Sequence, residues 1–370
     1  MSAAIPPGYD LNLIPAGVPP LGVIPTIGGG PYLGTATIVI ESVMIFFAVL
    51  AVAFRMVAGW HSRRDSADGL SAADWTSFVA IIISIAQSAI VMTLHNYERH
   101  QWNVSVGMLT SSYFKRMFIQ NFIAWPAIFL AKISILLMYL RLFRIKQSIR
   151  HAAFAGMLWT AMTYLPNMAV AGYWCSAHFG EQWDFNVGIR CGSKAPLKWL
   201  VTSAAMSVAL DIYIFLLPIP VVLGLKLSGR KRLGLLFVFT TAFFAVICAV
   251  LTLVYRVKLL LSTDSMWLSS QLFICNGVEN YIAIIVGALP GCSGYFKSHI
   301  KESAFFISIS SRFTGSRGTS NQSSKERSKA TKGAYKLREF SNDTESQKSL
   351  KPGVGEIGVK HSYEVRDDQL

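Results

Sequence analysis

Charge is what this chain has least of. Only 15% of its 370 residues are Asp, Glu, Lys or Arg, while 52% are hydrophobic. A soluble domain carries about 25% charged residues, so the composition excludes an ordinary soluble globular protein. Several windows of about 20 residues are nearly free of charge, which is long enough to cross a bilayer core. Other absences remove specific chemistries. The last apolar run has no internal lysine, so no retinal Schiff base is held there. The seven histidines are scattered rather than clustered as in membrane di-iron enzymes. No aspartate-rich prenyl-diphosphate motif and no phosphate-cradling glycine loop is present. His95, Glu98 and His100 share one loop, but a solvated loop is the favoured reading. No metal and no cofactor are implied.

What is there is a series of apolar runs. Seven candidate spans fall at Leu33–Val57, Trp75–Leu94, Met117–Leu140, Ala152–Trp174, Trp199–Leu223, Leu233–Tyr255 and Trp267–Pro290. Met1–Gly30 has neither a basic n-region nor a cleavage pattern, so the first span is expected to double as the insertion signal. The fold expected is therefore all-α, a seven-transmembrane helix bundle in a multi-pass integral membrane protein of the plasma membrane or an endomembrane.

Basic residues orient it. Residues 1–32 contain no Lys or Arg. Arg141, Arg144, Lys146 and Arg150 follow the third span, Lys226, Arg230, Lys231 and Arg232 follow the fifth, and 14 more basic residues follow Pro290. Short cytoplasmic loops carry such an excess, so the N-terminus is expected outside and the C-terminus in the cytosol. The same rule accounts for the pI of about 9.6 without any nucleic-acid partner. Three regions follow: a Pro/Gly-rich, disordered outer tail over 1–32, a transmembrane domain over 33–295, and a basic, Ser-rich tail over 296–370 whose composition cannot bury a core. Pro126, Pro166, Pro218 and Pro220 predict kinks or local unwinding in spans three to five.

Charges inside the spans say most about chemistry. Lys132, Asp211 and Glu279 lie well within their runs. At 1.5 Å per residue they stand roughly 13, 18 and 16 Å from the inner ends of their spans. A lysine at a helix centre costs about 2.5–3.5 kcal/mol on insertion scales, so such residues face the bundle interior and pair. A polar mid-bundle site and a purely structural ion pair both meet that requirement. Lys132 needs a carboxylate, and Asp211 is the expected partner, leaving Glu279 unpaired. Glu41, Arg256 and Asp264 are candidates for an outer mouth, beside the aromatics of the loop between Cys175 and Cys191, although for each of them a solvated loop position is the favoured reading. Those two cysteines lie on the expected oxidising side, which predicts a disulfide. Asn103, in WNVS at 102–105, is a glycosylation sequon. Ser71 and Asp74 are N-cap types ahead of the second span.

Several motifs then fall in one order: KISILLMYLRLF at 132–143, Cys175…Trp183…Cys191, DIYIFLLPIPVVLGLKLSGRKRLG at 211–234, Arg256, Asp264 with Trp267, and VENYIAIIVGALP at 278–290. With Asp74–Trp75 ahead of them, the chain from about Arg55 to Pro290 resembles the fungal rhodopsin-like integral membrane proteins. That family includes satratoxin-cluster type membrane proteins and receptor-like proteins. The resemblance implies a seven-helix bundle, singles out Lys132, Arg141, Asp211, Arg256 and Glu279, and implies a secondary-metabolite context. The expected function is receptor-like or accessory to such a pathway. Its partners would be the lipid bilayer, a small apolar ligand or pathway intermediate, and a cytosolic signalling protein at Arg141 and the 226–232 loop. The alternative is an intramembrane cyclase or isomerase using Asp211 or Glu279 as general acid; a carboxyl in low dielectric stays protonated at neutral pH.

Overall fold

A computed structural model describes residues 10–65, 71–143, 146–220 and 229–299, and their side chains except those of 61–65, 229–238 and 290–299. The helices run α1 Gly34–Asp65, α2 Ala72–Thr93, α3 Ser111–Leu142, α4 Gln147–Trp174, α5 Phe185–Cys191, α6 Lys194–Leu216, α7 Gly229–Leu261 and α8 Ser265–His299. Seven of these have 22 or more residues. Among the described residues, six are long and apolar enough to cross a membrane: α1, α2, α3, α6, α7 and α8.

The exception is α4, and its residues explain why. Thr160, Thr163, Tyr164 and Asn167 occupy its middle and are all buried, while Phe154, Leu158, Met162 and Leu165 are exposed. The helix is polar on the bundle side and apolar outside. Its neighbours share that inversion: Phe46 and Phe47 of α1 and Phe243 and Phe244 of α7 point outward, while Gln87, Lys132, Glu279 and Asn280 are buried. In water this would be unstable; in lipid it is the expected arrangement, because polar groups must find partners inside the protein.

Helices α3 and α8 form the centre. The first packs on α2, α4 and α8, and the second on α1, α2, α3 and α7, while α6 bridges α4 and α7. Ala48, Ala80, Ala127, Ala131 and Ala288 are all fully buried at these contacts, and small residues let helices approach closely without a hydrophobic drive. Larger side chains fill between them, led by Trp125, Leu136 and Tyr139 of α3, Tyr164 of α4, Leu210 of α6 and Tyr281 of α8.

Helix ends follow local chemistry. Ser71 is the N-cap of α2, and the Asp74 carboxylate accepts from the Ser71 backbone N–H and hydroxyl, both at 2.8 Å. Helix α6 stops at Leu216, ahead of Pro218 and Pro220, which cannot donate to the preceding turn. Helices α3 and α4 run through Pro126 and Pro166 without a break.

The expected disordered outer tail needs correction over residues 10–33. This segment pairs its backbone with the loop between α2 and α3. Ala16 N–H donates to Val104 O at 2.8 Å, Val106 to Ile14 O at 2.9 Å, Gly28 to Asn103 O at 2.9 Å and Leu33 to Glu98 O at 3.0 Å. Isolated bridges join Pro15 to Ser105 and Tyr32 to Arg99. Gly22, Gly28 and Gly30 hold φ of 85°, 74° and 73°, the left-handed turns that fold the segment over the bundle. The result is a cap over one end. The tail expected over 296–370 lies outside the described residues from 300 onward. So does the 226–232 loop, apart from the backbone of its last four residues in the first turn of α7.

Candidate functional site

Lys132 reaches the bundle centre because it shares a stripe of α3 with Trp125 and Ile128 at helical spacing. Its side chain is 1% exposed, and its ammonium meets Asp211 Oδ1 at 2.7 Å, Ser207 Oγ at 3.1 Å and Glu279 Oε1 at 3.5 Å. Asp211 and Ser207 are one turn apart on α6. Tyr164 of α4 shares a 2.6 Å hydrogen bond with Ser207 and presents its ring 5.3 Å from the ammonium. Thr252 of α7 donates to Glu279 Oε2 at 3.2 Å. Five helices thus supply one charged cluster. Both carboxylates lie within reach of Lys132, so Glu279 is not the unpaired acid expected. Asp211 Oδ2 is the oxygen left without a partner.

A cavity of about 120 Å³, lined by Tyr164, Ser207, Thr252 and Glu279 of this cluster but not by Lys132 or Asp211, rises toward the cap end. Met117, Leu197 and Leu259 stand near its upper end, and Ser207, Thr252 and Glu279 near its floor. Arg256 lies in its wall, one turn above Thr252. The guanidinium donates to Leu200 O at 3.3 Å and sits 5.2 Å from the Trp125 ring. Among the described residues it makes no ion pair.

The three candidates for an outer mouth sit in different places. Only Arg256 lines the cavity. Glu41 is buried between α1, α2 and α8, accepting from Ser88 at 2.7 Å, and Ser88 also meets the Tyr281 hydroxyl at 2.6 Å. A Cβ on Gly277 would strike the Glu41 carboxylate, so close helix approach fixes that glycine. Asp264, in the α7–α8 turn, accepts from the His100 ring at 2.6 Å and from Gln101 N–H at 3.0 Å. His100 is stacked between Trp102 and Trp267, with centroids at 4.5 and 4.3 Å. These contacts pin the cap to the bundle.

Asn103 is 4% exposed, and its side-chain oxygen accepts from Thr26 N–H at 3.1 Å. A Cβ on Gly30 would collide with its amide nitrogen, so this packing leaves no room for the expected glycan. Cys175 and Cys191 form a disulfide with their Cα atoms 4.5 Å apart. Within the loop it closes, Arg190 pairs with Glu181 at 2.9 Å. The His178 backbone N–H, and then Arg190, hold the Glu181 carboxyl below its usual range. His95, Glu98 and His100 turn to separate partners. Glu98 is 1% exposed and accepts from Thr37 Oγ1, while Oε1 has no partner. Burial raises its carboxyl to about 7, against the opposing effects of Thr37 and His95.

A second cluster, not anticipated, closes the opposite end. Asp74 is 2% exposed and accepts from Arg55 Nε at 2.7 Å and from Arg141 at 3.2 Å. Arg55 also donates to Gly287 O at 2.5 Å, and Ser134 bonds Ser77 beside it. One carboxylate therefore ties α1, α2 and α3 together, and Arg55 extends the tie to α8. The cues were an arginine near the end of the first span and an acid at an N-cap. Nothing local pairs residues 19 and 67 positions apart.

Helices that invert polarity and bury charge in their midst define a multi-pass integral membrane protein. The family is equally plain: the chain belongs to the fungal rhodopsin domain family, whose model matches residues 54–298. It is 26% identical over 273 residues to a SAT4 family membrane protein of Emericella nidulans, covering 71% of this chain and 66% of that protein. It is 28% identical over 204 residues to Fugralins biosynthesis cluster protein 2 of Gibberella zeae, covering 52% of this chain and 49% of that one. The chain thus spans less than two thirds of either relative's length.

Proposed function

We propose that this is a receptor-like, seven-helix membrane protein that holds a small ligand in the central cavity and serves a secondary-metabolite pathway. In this reading α4 is the seventh span, the cap faces outward and the basic ends face the cytosol. The observation that carries it is the cavity itself. It rises from the Glu279 side of the Lys132–Asp211–Glu279 cluster toward the cap end, while the Arg55–Asp74–Arg141 cluster ties the helices at the other end. That combination suits capture of a ligand better than passage through the bundle. The Arg141 side chain is 45% exposed, which leaves it accessible to an acidic segment of a cytosolic partner. The context draws on the relative named as a fugralins biosynthesis cluster protein.

Acid catalysis fits less well. A general acid needs a carboxyl that is not already committed, and both candidates lie within reach of one ammonium. Deletion of the gene separates the readings. A receptor-like protein should alter transcription of pathway genes with no single precursor accumulating. One stalled intermediate, with transcription unchanged, would overturn the proposal in favour of the enzyme.

A further inference from the structure

The cavity wall sorts its unsatisfied groups by kind. On one side are donors. Arg256 has five N–H groups and, among the described residues, one carbonyl acceptor and no ion pair. Its neighbour Trp125 is 6% exposed, and its indole N–H has no hydrogen-bond partner. On the other side are acceptors. Asn280 is 3% exposed, spends its amide nitrogen on Ser84 at 2.8 Å, and leaves its side-chain oxygen unpartnered. The adjacent Glu279 sits at the looser end of the Lys132 cluster, 3.5 Å from the ammonium. Buried polar groups without partners are unfavourable, and each points to something that completes it.

The charges add a constraint. Lys132 and Arg256 are balanced by Asp211 and Glu279, yet Arg256 does not pair with either carboxylate. The excess positive charge lies at Arg256 and the excess negative charge at the floor. An occupant carrying a net charge would upset that balance in a low-dielectric site, where an uncompensated charge is expensive. A molecule with one charge of each sign would not.

We infer that the cavity takes a small zwitterion of the amino-acid class, its carboxylate on Arg256 and Trp125 and its ammonium toward Glu279 and Asn280. Arginine recognises carboxylates through paired N–H donors, and the ammonium supplies the donor that the Asn280 oxygen lacks. Leu200 and Phe273 offer apolar surface for a side chain. A cavity of about 150 Å³ holds benzene, so about 120 Å³ limits the occupant to roughly the bulk of alanine. This inference rests on the cavity being a ligand site.

The test uses the full chain in lipid nanodiscs and four small probes: alanine, propanoate, ethylamine and propanamide. Binding is read by calorimetry and by thermal shift. Alanine should bind at least about tenfold more tightly than the acid, the amine or the amide, since each lacks a charge-assisted contact. Arg256→Gln should abolish the preference for alanine over ethylamine and leave its preference over the acid. Arg256→Lys, which keeps the charge, should restore part of it. The melting point without probe shows whether each variant is folded. Equal binding of the amide and alanine, or tighter binding of either singly charged probe, overturns the zwitterion and leaves the cavity reading intact. Binding of none of the four overturns both.

Discussion

Replacing Lys132 by methionine keeps the bulk of the side chain and removes its charge. Asp211 and Glu279 would then face each other with no cation between them, in a site where Lys132 is 1% exposed. Breaking a buried pair by deleting one partner costs about 3–5 kcal/mol, because the survivor is left uncompensated. At 2–4 °C per kcal/mol for a chain of this order, the melting point should fall by roughly 10 °C. The distances rank the rescues. At equal dielectric, the attraction at 3.5 Å is about a quarter weaker than at 2.7 Å, and Asp211 also holds the direct hydrogen bond. Asp211→Asn added to Lys132→Met should therefore recover more stability than Glu279→Gln added to it. Asp211→Asn alone should cost less than Lys132→Met, because Glu279 remains to neutralise the ammonium. Thermal unfolding of the singles and doubles in one detergent measures all of this. Strict additivity in both double mutants would refute the shared cluster.

The remaining expectations concern the cap and the helix contacts. Cys175→Ser opens a loop of 16 residues and should cost about 3 kcal/mol, while in the wild type both thiols should resist alkylation until reduced. Glu98 is raised from 4.5 to about 7 in the fold, so the folded state holds the extra proton between those values. Its stabilising effect is complete below pH 4.5 and lost as pH rises through 7, an upper bound of about 3 kcal/mol. Glu98→Gln should flatten that part of the melting profile, and an unchanged slope would rule Glu98 out as its source. Gly277→Ala should destabilise by about 1–3 kcal/mol through overpacking against Glu41, with Glu41→Ala relieving it in the double mutant. Asn103 should carry no glycan, so endoglycosidase should leave the mobility of the protein unchanged.

Much of the bundle was legible because burying a charge in an apolar run leaves few explanations. Lys132, Asp211 and Glu279 stood out as exceptions within otherwise apolar stretches, at similar depth, and a shared site followed. Glu41 stood out in the same way, but depth along a helix does not fix rotation around it. Its stripe faces α2 and α8 rather than the cavity. The segment over 10–33 misled for a different reason. Proline and glycine signal an absence of helix, and here they shape turns whose backbone finds partners in a loop some 80 residues away. Asn103 looked like a loop-surface sequon until that segment covered it. The Asp74 cluster was hidden because each member had a sufficient local role as cap or loop charge.

The inverted polarity of α4 has a consequence for how the protein is made. A helix leaving the ribosome is sorted into lipid on its own apolarity, and α4 offers a weak case. Thr160, Thr163 and Asn167 can donate to their own preceding turn, at 2.7, 2.9 and 2.6 Å, so those groups need no neighbour to enter. Tyr164 and the Asn167 oxygen are different, because their partners Ser207 and Trp199 belong to α6 and are synthesised later. Until α6 arrives, α4 is a half-satisfied guest held beside α3. If α4 crosses the membrane as proposed, its place is secured only when the fifth long helix supplies those partners.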